Sequence, residues 1–219
     1  MIYPFPEFSP EALAAFSDRE FDAARDLDRF LESLGQASGR VCTIRQAHGD
    51  KVIAASGPFK DAEADGLVTK ERGLALTIRT ADCAPVFFLD RKNRAIGVCH
   101  AGWRGAQKGI VARTVELLRC HFGVKTENLL VGIGPAICGK CYEVGAEFER
   151  HFPGHIRREG EKIFFELGTE LERQLKGLGI LEDAIVKSEI CTACSVDRFF
   201  SARREGQETG RLISMILLK

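Results

Sequence analysis

The sequence predicts an α+β protein of one domain, in which stacked sheets are covered by helices. Three observations lead there. The 219 residues suffice for one domain, which at this length buries roughly two-thirds to three-quarters of its unfolded surface. Apolar residues recur at helical spacing in some segments and in short β-type runs in others, and these runs outnumber what one sheet needs. No internal repeat, low-complexity tract or linker interrupts the chain, so the domain is expected to span residues 1–219.

Residues 1–40 open with a proline-bearing extended segment and continue into a helix over Glu20–Leu34, where Phe21, Ala24, Leu27, Phe30, Leu31 and Leu34 recur at helical spacing and Gly35 closes the last turn. From Val41 the pattern changes. Strands are predicted at Val41–Ile44, Lys51–Ala54, Gly66–Thr69, Leu74–Arg79, Val86–Leu89 and Ala95–His100. Helical spacing returns over Gln107–Phe122 through Ile110, Val111, Thr114, Leu117, Leu118 and Phe122, and leads into a strand at Leu129–Ile133. Glu143–Phe152 and Leu167–Leu178 read as two more helices. Ile185–Ser188 is a further strand, Thr192–Thr209 a polar loop, and Arg211–Leu218 the closing strand.

Charge narrows the partners. The 31 basic and 31 acidic side chains give zero formal charge, which removes the electrostatic argument for nucleic acid or an anionic membrane while leaving room for a small anion. The opening MIYPFPEFSP has neither a basic n-region nor an apolar h-region, and no apolar run approaches the roughly 18 residues that crossing a bilayer takes. A cytoplasmic protein is therefore expected, its 8 cysteines reduced and any functional ones acting as metal ligands or nucleophiles. Cys42, Cys99 and Cys120 lie in apolar stretches and are expected to be buried.

Three segments each place a metal-competent side chain at the end of a strand, beside glycine or proline: Gln46-Ala47-His48-Gly49-Asp50, Thr80-Ala81-Asp82-Cys83-Ala84-Pro85 and His100-Ala101-Gly102-Trp103-Arg104-Gly105. Two imidazoles and a thiolate would hold a divalent zinc ion and leave its fourth position to water, whose pKa falls to about 7. Read alone, the spacing is more often that of buried structural histidine and cysteine.

HAGWRG at 100–105, together with QAHGD at 46–50, TADCAP at 80–85, Cys141-Tyr142-Glu143-Val144 and Phe199-Phe200-Ser201 followed by Arg203-Arg204 and Thr209-Gly210-Arg211, resembles the YfiH-like family. Its members were described first as polyphenol oxidases or laccases and then as purine nucleoside phosphorylases. The resemblance covers residues 41–219, leaving 1–40 as a divergent amino-terminal segment. It implies a four-layer α/β/β/α sandwich with mixed sheets and a zinc ion on His48, Cys83 and His100. It also implies phosphorolysis of adenosine, inosine and methylthioadenosine, with hydrolytic deamination of adenosine. The chain departs from the family at Ser17–Asp22, where a glycine-rich loop is replaced, at Ala202, which stands for a tyrosine, and at Glu166-Leu167, which stands for Asp-Leu. These changes fall on substrate preference and on the amino-terminal wall of the pocket.

Arginine supplies the permanently charged fork that a phosphate needs. Arg104, ahead of the helix predicted near Gln107, is the first choice for phosphate or ribose, followed by Arg203, Arg204 and Lys108, with Gln46 as a further substrate contact. Trp103 reads as a packing anchor before a purine platform, and Asp82 as a catalytic base or a residue that orients a ligand. His121, His151 and His155 carry no motif.

Other readings compete. Cys138-Gly139-Lys140-Cys141 and Cys191-Thr192-Ala193-Cys194 are C-x-x-C pairs of the kind that hold structural zinc, but their separation far exceeds that of a zinc ribbon, and relatives share only Cys141 and Cys191. A multicopper laccase needs more imidazoles than the 5 histidines supply, although a single copper on a His₂Cys set is chemically sound. Cys83 with His48 or His100 also has the makings of a cysteine hydrolase, and a module that only senses nucleotides would use the same pocket.

Overall fold

The structure, a computed structural model, describes residues 1–37 and 39–219. Two sheets of six strands stack face to face, and helices close both outer faces, as the resemblance implied. The first sheet orders Ile2–Pro4, Ala12–Ser17, Leu212–Leu218, Ala75–Thr80, Val41–Arg45 and Phe59–Glu63. Its first four strands pair antiparallel and its last two join in parallel, so the sheet is mixed. The second sheet orders Ile185–Lys187, Leu129–Ile133, Ala84–Asp90, Ala95–Ala101, Gly66–Thr69 and Val52–Ala54, antiparallel in its centre and parallel at both edges. A three-stranded sheet of Glu143–Val144, Lys162–Phe165 and Ile156–Glu159 sits apart.

The central strands are apolar throughout because they are buried on both faces. In Ala84–Asp90, Phe87 and Leu89 point into the core between the sheets, while Val86 and Phe88 point into the core under the helices Ile110–Phe122 and Leu167–Gly177. On the far side Ile213, Met215 and Leu217 pack against Phe30 and Leu31 of the helix Leu27–Ser33.

Several predicted elements are redrawn. The helix expected over Glu20–Leu34 is confined to Leu27–Ser33, because Asp22 and Asp26 spend their carboxylates on the N–H groups of Ala24 and Asp22 and hold the preceding stretch in turns. The helix expected over Gln107–Phe122 is two helices, Trp103–Lys108 and Ile110–Phe122, divided by Gly109 at φ 84°. Glu143–Phe152 is a strand, Glu143–Val144, followed by the short helix Phe148–His151. The extended amino terminus contributes Ala12–Ser17 to the interior of the first sheet, and the polar loop contains the short helix Ala202–Glu205. Cys42 and Cys99 are buried as expected, but Cys120 is exposed on the outer side of its helix.

Candidate metal centre and nucleoside pocket

The ends of four strands meet at one edge of the sandwich. His48 follows Val41–Arg45, Cys83 joins Ala75–Thr80 to Ala84–Asp90, and His100 is the penultimate residue of Ala95–Ala101. The antiparallel register sets Pro85 opposite His100 and Ala84 opposite Ala101, which brings Cys83 and His100 to the same end of neighbouring strands. One donor atom from each of His48, Cys83 and His100 lies within 4.8 Å of the other two. The imidazoles meet edge to face, with ring centroids 4.7 Å apart.

Asp65 organises this group, and the sequence carries no signal for it. Its carboxylate is buried, and Oδ1 takes the Nδ1 side of His100 at 2.8 Å and the N–H of His48 at 3.0 Å. Oδ2 accepts the N–H groups of Ala47 at 3.1 Å and Gly49 at 2.7 Å. The carboxylate therefore fixes the His100 ring, turns Nε2 towards the Cys83 sulfur, and holds His48 at φ 56°, a left-handed conformation uncommon for this residue. Burial works against the Asp65 carboxylate, yet His100 and the backbone donors outweigh it and keep its pKa low. Burial likewise raises the Cys83 thiol, but the positive fields of His100 and His48 bring it down to about 6. His100 loses by burial and gains more from the Cys83 sulfur and Asp65, reaching about 9.

The donor set fits a metal. It offers a thiolate and two imidazoles, one of them oriented by a carboxylate, and Gly102 leaves room for the sulfur, since a Cβ there would stand 2.7 Å from Cys83 Sγ.

All three residues line a cavity of about 770 Å³, whose wall also includes Arg79, Trp103, Tyr142, Arg203 and Arg211. A shallower cavity of about 520 Å³ adjoins it, sharing Trp103, Tyr142 and Arg203 and adding Arg104. Arg203 lies over the Tyr142 ring at 5.1 Å and donates Nη1 to the Glu143 carbonyl at 2.7 Å; among the described residues its Nε and Nη2 meet no protein acceptor. Arg104 stacks on Trp103 at 4.4 Å and lies inside the helix Trp103–Lys108, where the sequence placed it ahead of a helix. Trp103 packs on Phe148 at 4.9 Å and shows one side to the cavity, so it is an anchor that also forms wall.

The remaining candidates divide. Gln46 lines the cavity but exchanges two hydrogen bonds with the Arg79 backbone, at 2.7 and 2.8 Å, in the manner of one more ladder rung. Asp82, at φ 89°, accepts the Thr192 hydroxyl at 2.6 Å and the Arg203 N–H at 2.7 Å, so both oxygens are engaged by protein. Arg204 turns away from the cavity: it donates to the carbonyls of Thr192 and Ala193 at 2.8 Å and of Phe199 at 2.6 Å, and braces the loop. Lys108 is exposed at the end of its helix and lines neither cavity. Asp22 and Ala24 form the amino-terminal wall, and Ala202 lines the cavity as well. Arg79 and Arg211, which sequence reasoning passed over as ligand contacts, line the cavity, although Arg211 donates to the carbonyls of its own loop, Gly210 and Gln207 among them.

The model of a family described as multi-copper polyphenol oxidoreductase laccase matches residues 11–219. A purine nucleoside phosphorylase of Aquifex aeolicus is 35% identical, the match covering 98% of this chain and 97% of that protein. An adenosine deaminase, RL5, from an unknown prokaryotic organism is 32% identical over 90% of this chain and 84% of its own length. The crystal structure of YlmD from Geobacillus stearothermophilus superposes with a TM-score of 0.90 at 25% identity, covering 98% of this chain and 94% of that one. With its strand-end histidines and cysteine gathered at one cavity and its fold shared throughout, the chain belongs to the YfiH-like family of enzymes.

Proposed function

We propose that this protein is a zinc-dependent purine nucleoside phosphorylase acting on adenosine, inosine and methylthioadenosine, with adenosine deaminase activity at the same site. The observation that carries the reading is the convergence of His48, Cys83 and His100 on a cavity of about 770 Å³, room enough for a nucleoside with a phosphate, that opens beside donors of Arg203 left unpaired among the described residues. The similarity to proteins named for both activities supports it.

In phosphorolysis a phosphate oxygen forms a bond to the anomeric carbon, the carbon–nitrogen bond to the purine breaks, and the base leaves with the electron pair and takes up a proton. The chain's part is to hold and neutralise. Arg203 supplies the fork for phosphate at the junction of the two cavities, and Arg104 adds charge from the shallower one. Arg79 and Gln46 form further wall of the larger cavity. Asp82 acts as a positioning residue, because its carboxylate fixes the backbone of Arg203. His48, Cys83 and His100 would hold zinc, which when bound supplies Lewis acidity for hydrolysis at the purine six position. Arg204 and Lys108 act outside the pocket.

The test is chromatography of adenosine incubated with the purified protein, with and without phosphate. Adenine and ribose 1-phosphate formed only with phosphate support phosphorolysis, and inosine supports deamination; binding without any product would sink the proposal. Cys83→Ser and His100→Ala are expected to lose the metal of this site and the activity together. Arg203→Ala should lower the rate at limiting phosphate about 10- to 100-fold, the loss of one charge-assisted hydrogen bond of about 1.5–3 kcal/mol. Copper recovered from the site in place of zinc would favour oxidation of phenols.

One observation favours a second reading: the Cys83 sulfur lies within 4.8 Å of a ring nitrogen of each of His48 and His100, the pairing of a nucleophilic thiol with a base. Iodoacetamide separates the two. Labelling of Cys83 that rises after chelation marks a ligand, whereas equal labelling in both conditions marks a nucleophile.

A further inference from the structure

Four cysteines from two distant parts of the chain meet at a second point. Cys138 and Cys141 lie on the turn after Leu129–Ile133, and Cys191 and Cys194 on the turn after Ile185–Lys187. Cys138 and Cys191 are 53 positions apart. The two strands pair in parallel, and a bridge between Ala136 and Cys191 continues that pairing into the turns, which sets the C-x-x-C pairs side by side.

The geometry is that of a ligand set. The four Sγ atoms all lie within 4.8 Å of one another, with Cys138 and Cys194 at 3.9 Å and Cys141 and Cys194 at 3.3 Å. Tetrahedral zinc with Zn–S bonds of about 2.3 Å needs sulfurs about 3.8 Å apart. The backbone agrees, since the Cys191 sulfur accepts the N–H groups of Cys138 at 3.3 Å and of Cys194 at 3.4 Å, donors that stabilise a thiolate. An all-sulfur tetrahedral set selects a thiophilic ion, and it shares no residue with the His48 group.

We propose that Cys138, Cys141, Cys191 and Cys194 bind a zinc ion of their own in a closed, structural tetrathiolate site. Four protein ligands leave no position for substrate, so its work is to hold the loops. The first loop lines the nucleoside cavity, and both loops support Asp82, which lines it too. Ile137, beside Cys138, donates its N–H to the Asp82 carbonyl at 2.9 Å, and Thr192, beside Cys191, donates its hydroxyl to the Asp82 carboxylate at 2.6 Å. Tyr142, beside Cys141, forms cavity wall. Tying the turns together fixes the two supports of Asp82 and the ring beneath Arg203. The proposal stands whether or not the cavity carries out phosphorolysis.

The test begins with metal analysis of protein purified anaerobically from zinc-supplemented cells without chelator. Cys83→Ser/His100→Ala protein should keep about one zinc per chain, and Cys138→Ser/Cys194→Ser protein should lose about one relative to the parent. Cobalt(II) exchanged into the Cys83→Ser/His100→Ala protein should give the intense near-ultraviolet charge-transfer and visible bands of a tetrathiolate site. This measurement keeps all four cysteines, so it decides the matter even if the cysteine variants do not fold. The four thiols should also resist iodoacetamide until a chelator is added. A Cys83→Ser/His100→Ala protein with no zinc and no cobalt spectrum would overturn the assignment. So would a disulfide between Cys141 and Cys194 in the anaerobic protein, or iron recovered in place of zinc.

Discussion

At the scale of single residues, the candidate metal centre rests on a carboxylate that lines neither cavity. Asp65 takes four donors, from His100, His48, Ala47 and Gly49, and an amide in its place would set an N–H against one of them. Asp65→Asn is expected to lower zinc affinity at the His48 site about 10- to 100-fold, by loosening His100 and the His48 turn together. It should also cost about 1–3 kcal/mol of folding stability for the unpaired buried donor. A competition titration with a chelating dye reads the first, and unaltered affinity would show that Asp65 only fastens the turn. Gly102 is the complementary case. A methyl group there meets the Cys83 sulfur at 2.7 Å, so Gly102→Ala should displace the thiolate and reduce metal occupancy severely, measurable by elemental analysis of the folded variant. His48, Cys83 and His100, which the structure brings together, could be picked out in the sequence because each ends a strand beside a turn. Asp65 was not, because its neighbours Ala64 and Gly66 carry no motif and its partners lie 16 to 35 positions away.

At the scale of elements, local hydrogen bonding decides where periodicity gives way. The carboxylates of Asp22 and Asp26 shorten a helix whose apolar spacing runs on, and Gly109 splits another. Conversely, the helix Ala202–Glu205 forms in a polar loop that has no periodicity, because Ser201 caps it by accepting the Arg204 N–H. Glu205 secures its far end through Thr209, Arg204 and Arg19. Burial raises this carboxyl, but the Thr209 hydroxyl and the two arginines overcome that and bring it down to about 2. A pKa lowered by folding contributes stability in full above the ordinary glutamate value near 4.5, and the contribution fades as pH falls towards 2. Glu205→Gln should therefore melt about 2–4 °C lower at neutral pH, for a loss of about 1 kcal/mol in a partly exposed network. The gap should narrow below pH 4.5 and close near pH 2. A constant gap across that range would assign the effect to packing of the side chain.

At the scale of the whole molecule, the site exists because strands belonging to two sheets end at one edge, and that depends on a sandwich filled on every face. Repeated apolar runs announced the stacked sheets, but not the cysteine cluster, which needs a parallel pairing across 53 positions that no local pattern encodes. The burial of Ala84–Asp90, the strand that follows Cys83, provides the test of the layering. In a sheet with one wet face, neighbouring residues would differ sharply in what their truncation costs. Here Phe87 fills the core between the sheets, 5.5 Å from the Phe5 ring, and Phe88 fills the core under the helices, both without solvent exposure. Phe87→Ala and Phe88→Ala should each cost about 3–5 kcal/mol, a large share of the roughly 5–15 kcal/mol that holds a domain together. At about 2–4 °C per kcal/mol, each should lower the melting temperature by about 6–20 °C. Thermal melts of the two variants, compared with an exposed control such as Lys108→Ala, decide the point. Similar losses follow from burial on both faces, whereas a loss confined to one of them would mean that the other face of the sheet is open and that four layers do not pack as described.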